Sequence, residues 1–343
     1  MTSGRARLIA DEFAADGLAV ATDAPFGALT TYGVGGTASV MVEITGASDA
    51  RTVGSVMSRH PGVPLFILGN GSNTLVADDG FDGVVVRTRP GTSLDDMLVT
   101  VVNGTVTVPA WMPLPVLARR SVAAGACGLE WAVGVPGTVG GAVRMNAGGH
   151  GAEVTDSLVS VEVVSLRNGE SSVLDAEGLA LHFRGSALGD SHCVVSATFR
   201  VGEPSGHDCD AALAEIVAWR RQNQPGGRNA GSVFVNPAPG EGSSGALIDG
   251  CGLRGTSVGG ASVSDKHANF IQVSAGAAAA DVIGLMAVVQ ESVAAATGIT
   301  LRSEVRLVGF GADVSARFAG MTHASADVDS ARSALASRLG ESS

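Results

Sequence analysis

The sequence predicts a protein of two domains built from both strands and helices, and three observations support this. Its 343 residues exceed the length that a single hydrophobic core usually organises. Hydrophobic residues make up 45% of the chain, which is typical of a globular protein and not of a disordered one. A polar, turn-rich stretch at residues 202–210, GEPSGHDCD, separates a β-rich first half from a second half with longer helical patterns, and we place the domain boundary there.

The first half is predicted to be mainly strands. Residues 1–28 read as a short helix followed by a connector. Short β-rich runs then recur with Gly, Asn and Asp between them: ASVMVEI, PLFILG, GVVVRT, GTVTVPA, VSVEVVSL and CVVSATFRV. The run PLFILG is continuously apolar, as expected for a strand that is covered on both faces.

Three segments have helical periodicity. MPLPVLARRSVAAG can begin a helix at Pro113 or Pro115. DAALAEIVAWRRQ and ADVIGLMAVVQESVAAATG each carry an apolar stripe at helical spacing, and Gly298 ends the second; the stripes are Leu213, Ile216 and Val217, and Val282, Leu285, Met286, Val289 and Val293. Residues 313–343 are mostly small and polar, and we expect a flexible or weakly helical tail.

Charge and cysteine content exclude several classes of function. A net charge of −11 argues against nonspecific nucleic-acid binding, which depends on Lys and Arg at phosphates. The four cysteines form no C-x-x-C pair and no zinc-site spacing with histidine, so we expect no metal and reduced thiols in a cytoplasmic protein. The N-terminus lacks the apolar core of a signal peptide, and no uncharged stretch of eighteen apolar residues predicts membrane insertion.

Glycine accounts for 48 residues, about twice the usual share, and two glycine-rich turns stand out. GNGSN, residues 69–73, follows the buried strand, and GVPGTVGGAV begins at Gly134. Successive N–H groups of such turns can form a concave anion site, so the pair predicts a cradle that closes on a diphosphate from two sides. Neither turn is a Walker loop or a G-x-G-x-x-G motif. The alternative interpretation is a crowded sheet that packs against glycine.

Seven motifs follow one another along the chain: TTYGVGGTA, LGNGSNTLVADDGFDGVVVR, GLEWAVGVPGTVGGAVRMNAGGHG, FRGSAL, RNAGSVFVNP, GALIDGCGLRGTSVGGASVSDKHANFIQV and LRSEVRLVG. In this order they resemble the UDP-N-acetylenolpyruvoylglucosamine reductases (MurB) over about residues 26–310. The resemblance implies the α+β class, with an FAD-binding domain of the vanillyl-alcohol-oxidase type at residues 29–203 and a smaller α+β substrate domain at 204–312. It also implies that NADPH reduces the enolpyruvyl ether of UDP-GlcNAc-enolpyruvate to give UDP-MurNAc, a peptidoglycan precursor. Because GNGSN contains no histidine, we expect noncovalent FAD.

The resemblance also implies roles for particular residues. Charge that develops on the enolpyruvyl carboxylate needs cationic or hydrogen-bonding partners, and the adjacent carbon needs a proton donor. Ser232 matches the family's proton donor, and Arg184 and Glu304 match the residues at the carboxylate. The implied cofactor-binding residues are Gly69, Asn70, Gly71, Ser72, Asn73, Gly134, Val135, Pro136, Gly137, Thr138, Gly141, Asn146 and Ala147; the implied substrate-binding residues are Asn236, Arg220, Arg221, Lys266 and His267.

Three departures from the family pattern matter. Val235 stands where the family commonly has lysine, so a phosphate or carboxylate contact is missing or is supplied by Arg228. His150 stands where an aromatic residue often follows NAG, and FRGSALGDSHCVVSATF is too short for a lid segment, which indicates the shorter, lid-less branch. Two alternatives stay open: an FAD oxidase of the same fold that acts on a sugar or alcohol, and a flavin- or nucleotide-binding protein without turnover.

Overall fold

The computed structural model describes residues 1–91, 93, 97–203, 208–319 and 326–341. Its first lobe is a four-stranded sheet with two helices on one face. In chain order the lobe contains α1 (Ser3–Ala15), β1 (Ala19–Ala24), β2 (Ala38–Ile44), α2 (Ala47–Met57), β3 (Leu65–Leu68), β4 (Thr74–Val76) and β5 (Phe81–Thr88). The sheet order is β1-β2-β5-β3. β2, β5 and β3 are parallel, while β1 is antiparallel to β2; part of the predicted N-terminal connector is therefore a strand.

The strand β3 confirms the expectation for PLFILG. Leu65 packs into the core cluster beneath α1 and α2, whereas Phe66 and Leu68 pack into a second cluster on the opposite face. All three side chains are buried. An edge strand with both faces covered explains why its sequence is continuously apolar rather than alternating.

The second lobe is a five-stranded antiparallel sheet with order β11-β10-β12-β7-β6. Its elements are β6 (Val101–Val102), β7 (Thr105–Pro109), α3 (Leu114–Ala123), α4 (Val139–Met145), β8 (Gly148–Gly149), β9 (Ala152–Glu153), α5 (Val154–Ser157), β10 (Leu158–Ser165), β11 (Ser171–Asp175) and β12 (His192–Arg200). α3 begins directly after Pro113, as predicted. A 3-10 turn at Glu130–Gly134 leads into the second glycine-rich segment.

The remaining part of the chain combines helices with small sheets. It contains α6 (Cys209–Asn223), β13 (Phe234–Val235), α7 (Ser244–Gly250), β14 (Ser257–Val258), β15 (Ala261–Val263), β16 (Ile271–Val273), α8 (Ala279–Thr297), β17 (Arg302–Ser303), β18 (Arg306–Val308), α9 (Ala312–Ala319) and α10 (Ala326–Arg338). β14, β15 and β16 form an antiparallel sheet, and β13 pairs with β17. The mixed content agrees with the predicted α+β class.

α8 is the central helix of this C-terminal part. By length and composition it could cross a membrane, but its predicted apolar stripe, from Val282 to Val293, is buried in the C-terminal core. The helix ends at Gly298, which adopts a φ of 77°, a left-handed conformation that suits glycine after a helix. The stripe therefore behaves as the buried face of a core helix.

The strand β18 returns from the C-terminal part to the first lobe. It pairs in parallel with β4, so that Arg306 lies beside Thr74 and Val308 beside Val76. β4 immediately follows the GNGSN turn. The pairing therefore carries the segment around Glu304 to the edge of that turn.

The structure corrects two expectations. Residues 312–319 and 326–338 are helices, and Leu335 is buried in the core of the second lobe, because the small-residue tail still supplies a few apolar side chains at helical spacing. Cys127 and Cys209 form a disulfide with a Cα–Cα distance of 6.0 Å, whereas reduced thiols were predicted. The bond spans 82 residues, a separation that sequence spacing alone does not reveal. Glu130 lies beside this pair, but the two sulfurs are bonded to each other and do not form a thiolate metal site.

Candidate active site

A cavity of about 480 Å³ lies where the two lobes meet the C-terminal part, within the size range of small-molecule sites. Segments from all three contribute to its wall. The predicted residues that line it are Gly69, Asn70, Gly71, Ser72, Asn73, Gly134, Val135, Pro136, Gly137, Thr138, Gly141, Ala147, Arg184, Arg220, Ser232 and Glu304. The structure therefore brings both glycine-rich turns and all three predicted catalytic residues to one cavity.

The GNGSN turn presents unpaired backbone donors to this cavity. Among the described residues, no N–H group of residues 69–73 donates a hydrogen bond to another group of the protein, although the carbonyl of Gly71 accepts from Thr31. Gly71 has a φ of 62°, and a Cβ there would lie 2.6 Å from the carbonyl oxygen of Leu29. Successive free N–H groups in a concave turn are suited to an anion, and glycine allows the turn to seat this tightly.

The second glycine-rich segment closes against the first. Ser72 Oγ donates to the carbonyl of Pro136 at 3.4 Å. Gly137 has a φ of 118°, and a Cβ there would lie 2.8 Å from Ser72 Oγ. Thr138 then caps α4 by accepting from the N–H of Gly141. The two bare turns therefore meet in the wall of the cavity, where a diphosphate and a flat ring system can approach the backbone closely. That these residues bind FAD stays a prediction.

Arg184 lies at the tip of a tight turn. His182 and Gly185 exchange both backbone hydrogen bonds, and a Cβ at Gly185 would collide with the His182 ring. Arg184 itself has a φ of 58°, a conformation that costs a non-glycine residue about 1 kcal/mol or more. Its guanidinium carbon lies 4.7 Å from the centre of the Phe183 ring. The turn thus holds the arginine against the cavity in a strained backbone conformation.

Glu304 is the direct partner of Arg184. Arg184 Nε donates to Glu304 Oε1 at 3.1 Å, and both side chains are about four-fifths buried, with exposures of 18% and 20%. Burial raises the pKa of Glu304 to about 6, against the opposing effects of Arg184 and Arg302. This carboxyl group can therefore change its protonation state near neutral pH. Glu304 pairs with Arg184. Arg306, which is close to Glu304 in the sequence, pairs with Asp190 instead.

Ser232 reaches the cavity from a braced segment that precedes β13. Its hydroxyl forms no hydrogen bond with the residues that the structure describes, so it is free to bind a ligand. The next residue, Val233, accepts from the N–H of Glu304 at 2.8 Å and donates to the carbonyl of Asn269 at 2.8 Å. The buried Asn269 side chain also pairs with both backbone groups of Phe234. These bonds fix Ser232 relative to Glu304.

Sequence reasoning missed a group of charged and polar residues in the same wall. Asp190 Oδ1 accepts from Arg144 Nη2 at 2.7 Å and from Arg306 Nη2 at 2.8 Å. Arg144 also donates to the carbonyls of Leu188 and Gly189, and burial followed by the charge of Arg306 lowers its pKa to about 10. No local motif marks these residues, because the contacts join positions 46 and 116 residues apart.

Five predicted site residues do not line the cavity. Asn146 is buried, and its side chain bonds to Glu153, to the carbonyl of His182 and to the N–H of Thr155. The other four lie elsewhere in the C-terminal part: Asn236, which accepts from the N–H of Ser244, Arg221 and Lys266, which are joined through the Arg221 carbonyl, and His267, which packs on Phe270. Their contacts with a ligand stay predictions.

At His150 and Val235, the two positions where the residue departs from the family pattern, the structure shows what each side chain contacts. His150 packs edge-on against Trp219 with ring centres 5.0 Å apart, and burial followed by the charge of Arg220 lowers its pKa. Val235 is buried opposite Arg302 in the β13–β17 pair. Arg228 lies outside the cavity, with its guanidinium near Gly33. The cation that α6 supplies to the cavity is instead Arg220, which donates to Gln224 at 2.8 Å.

The two glycine-rich turns at the cavity and the sequence comparisons define the chain as an FAD-dependent oxidoreductase. Residues 38–175 match the family model "FAD binding domain", and residues 222–308 match the C-terminal domain of UDP-N-acetylenolpyruvoylglucosamine reductase. The comparison with curated proteins resolves the family further. The chain is similar to the UDP-N-acetylenolpyruvoylglucosamine reductase of Synechococcus sp. strain WH7803, at 40% identity over 83% of this chain and 92% of the relative.

Two other relatives belong to the same family of reductases. The enzyme of the same name from Gloeobacter violaceus is 40% identical over 82% of this chain and 94% of the relative. The crystal structure of MurB from Thermus caldophilus superposes with a TM-score of 0.69 at 33% identity, covering 85% of this chain and 98% of that one. The chain therefore belongs to the UDP-N-acetylenolpyruvoylglucosamine reductase family. This confirms the resemblance and the predicted FAD-binding domain.

Proposed function

We propose that the protein catalyses the NADPH-dependent reduction of UDP-GlcNAc-enolpyruvate to UDP-MurNAc in the cytoplasm, as a step in peptidoglycan precursor synthesis. The observation that carries the proposal is the convergence of Arg184, Glu304 and Ser232, from three separate segments, on the cavity that the two glycine-rich turns enclose. A reductase of this kind needs a flavin, a cation for the substrate carboxylate and a proton donor in one place.

The glycine-rich turns are the residues that would hold FAD noncovalently. The free N–H groups of residues 69–73 would bind its pyrophosphate, and residues 134–138 would lie along the ring system. When bound, FAD would supply the two-electron redox chemistry that links NADPH to the vinyl carbon of the substrate. Of the arginines in the cavity wall, we assign Arg220 to the substrate diphosphate.

Arg184 and Glu304 act on the enolpyruvyl carboxylate. The guanidinium binds the carboxylate and stabilises the negative charge that accumulates there when the double bond is reduced. Glu304 would repel that charge if it were ionised. Its pKa of about 6 allows it to take up a proton as the substrate binds, after which it can donate a hydrogen bond to the carboxylate.

Ser232 supplies the proton that completes the reduction. The carbon that bears the carboxylate must receive a proton after hydride has reached its neighbour. The Ser232 hydroxyl lines the cavity and has no protein acceptor among the described residues, so its proton is available in that direction. Its backbone is fixed to Glu304 through Val233, which maintains the distance between the proton donor and the carboxylate site.

Anaerobic absorption spectroscopy tests the proposal. NADPH should bleach the flavin band of the FAD-loaded enzyme, and UDP-GlcNAc-enolpyruvate should restore it with formation of UDP-MurNAc. Ser232→Ala should still be bleached by NADPH but should not be reoxidised by the enolpyruvyl sugar. Ser257→Ala, an exposed serine outside the cavity, is the control and should behave as wild type. Recovery only with oxygen would favour the oxidase, and no response to NADPH would favour a binding protein.

A further inference from the structure

The Arg184 guanidinium contacts a second carboxylate besides Glu304. Glu153 Oε2 lies 3.7 Å from Arg184 Nη1. The same nitrogen donates to the carbonyl of Asn146 at 3.3 Å, and Nη2 donates to the carbonyl of Gly148 at 3.3 Å. Nη1 and the Nε–H point to opposite sides of the planar guanidinium. Glu304 therefore occupies one side of Arg184, and Glu153 with Asn146 occupies the other.

Glu153 is held in place independently of Arg184. Its Oε2 accepts from Asn146 Nδ2 at 2.9 Å, and its N–H donates to Asp156 Oδ2 at 2.8 Å. Asn146 is itself fixed, because it closes α4 with a φ of 40° and its amide oxygen accepts from Thr155. Neither Glu153 nor Asn146 lines the cavity. The pair forms a support behind Arg184 and leaves the cavity side of the arginine to the substrate.

The two carboxylates differ in their environments. Glu153 is 32% exposed and accepts a hydrogen bond from the Asn146 amide. Glu304 is 20% exposed and shares its surroundings with Arg184 and Arg302. Of the other charged groups of this wall, Arg144 and Arg306 both bond to Asp190, and Arg220 bonds to Gln224. The Arg184 guanidinium is thus shared between Glu153 and Glu304, and Arg302 is a second cation beside Glu304.

We propose that Glu153 is a positioning residue for the reduction: with Asn146 it fixes Arg184 from behind, and by sharing the Arg184 guanidinium it leaves Glu304 as the carboxylate that accepts a proton when the substrate carboxylate arrives. The inference rests on the proposed function, since it concerns the substrate carboxylate at Arg184. It assigns no contact with substrate or flavin to Glu153 itself. Its signature is a change in the pH dependence of catalysis and not a general loss of activity.

The test compares pH profiles of kcat/KM for UDP-GlcNAc-enolpyruvate in wild type and Glu153→Gln. The profile should fall as pH rises through the pKa of Glu304 in the free enzyme, and Glu304→Gln identifies this limb by removing it. Without the Glu153 carboxylate, Arg184 is shared with Glu304 alone, so the limb should move to lower pH by about one unit, the scale on which a neighbouring charge shifts a carboxyl pKa. Glu153→Asp keeps the charge and should keep the wild-type limb.

The matched control is Glu162→Gln. Glu162 has a similar exposure of 31% and pairs with Arg51 at 3.0 Å, but it lies outside the cavity wall, so its profile should equal that of wild type. Bleaching of the flavin by NADPH should be unchanged in Glu153→Gln, which shows that the variant is folded and loaded. Coincident wild-type and Glu153→Gln profiles, or a uniform loss of kcat without a shift of the limb, would overturn the inference. If wild type is bleached but never reoxidised by the enolpyruvyl sugar, it is the proposed function that fails.

Discussion

Replacement of Glu304 by glutamine should stabilise the protein in a pH-dependent manner. The folded-state pKa of about 6 lies above the ordinary value of 4.5, so the folded chain binds this proton more tightly than the unfolded chain does. The stability that the proton confers is fully present below pH 4.5 and is lost as pH rises through 6. The loss corresponds to 1.5 pKa units, or about 2 kcal/mol. Glutamine resembles the protonated acid and cannot ionise, so the variant avoids the loss.

The measurement is urea unfolding of FAD-loaded wild type and Glu304→Gln between pH 4.5 and pH 8, followed by tryptophan fluorescence. The variant's advantage in free energy of unfolding should grow from about 0.4 kcal/mol at pH 4.5 to about 2 kcal/mol at pH 8. Any pH-independent effect of the substitution cancels in this comparison. A difference that stays constant over the range, or that shrinks as pH rises, would refute the reasoning that burial outweighs the attraction of Arg184.

Three further predictions follow from other contacts. Denatured protein without reductant should contain two titratable thiols and reduced protein four, because Cys127 and Cys209 are bonded; four in both samples would contradict the disulfide. Gly137→Ala should weaken FAD binding at least about tenfold in a fluorescence titration, since the added Cβ is strained and meets Ser72 Oγ; wild-type affinity would rule out this close approach. Asn269→Ala should lower the free energy of unfolding by about 2–4 kcal/mol by leaving two buried backbone groups unpaired; a loss below about 1 kcal/mol in urea would refute that role.

Periodicity predicted the elements of the fold well because burial determines both the pattern and the structure. ASVMVEI is strand β2 from its first residue to its last, and the apolar stripe of α8 is buried as predicted. The N-terminal strand β1 escaped prediction because only one of its six residues is buried. Its pairing with β2 depends on backbone hydrogen bonds, which leave no apolar pattern in the sequence.

Site residues were predictable where the backbone itself forms the site. Both glycine-rich turns reach the cavity because their glycines have conformations or close contacts that other residues would not tolerate. Lys266 and Asn236 were assigned from motif segments whose other residues, such as Ser232 and Phe270, line the cavity, but these two side chains bond within the C-terminal part instead. Glu153 and Asp190 were not predicted, because a carboxylate whose partner is distant in sequence has no local signature.

The position of Glu304 depends on a register that spans the two halves of the chain. The Asn73 side chain donates to the carbonyl of Glu304 at 3.0 Å, and the N–H of Arg306 donates to the carbonyl of Asn73 at 3.0 Å. The last residue of the GNGSN turn thus bonds on both sides of Val305 and sets where β18 begins to pair with β4. A shift by one residue would reverse the direction of the alternating side chains and would turn Glu304 away from Arg184. The same asparagine that ends the anion-binding turn therefore aligns the acid with the arginine, and neither half of the chain contains the complete site.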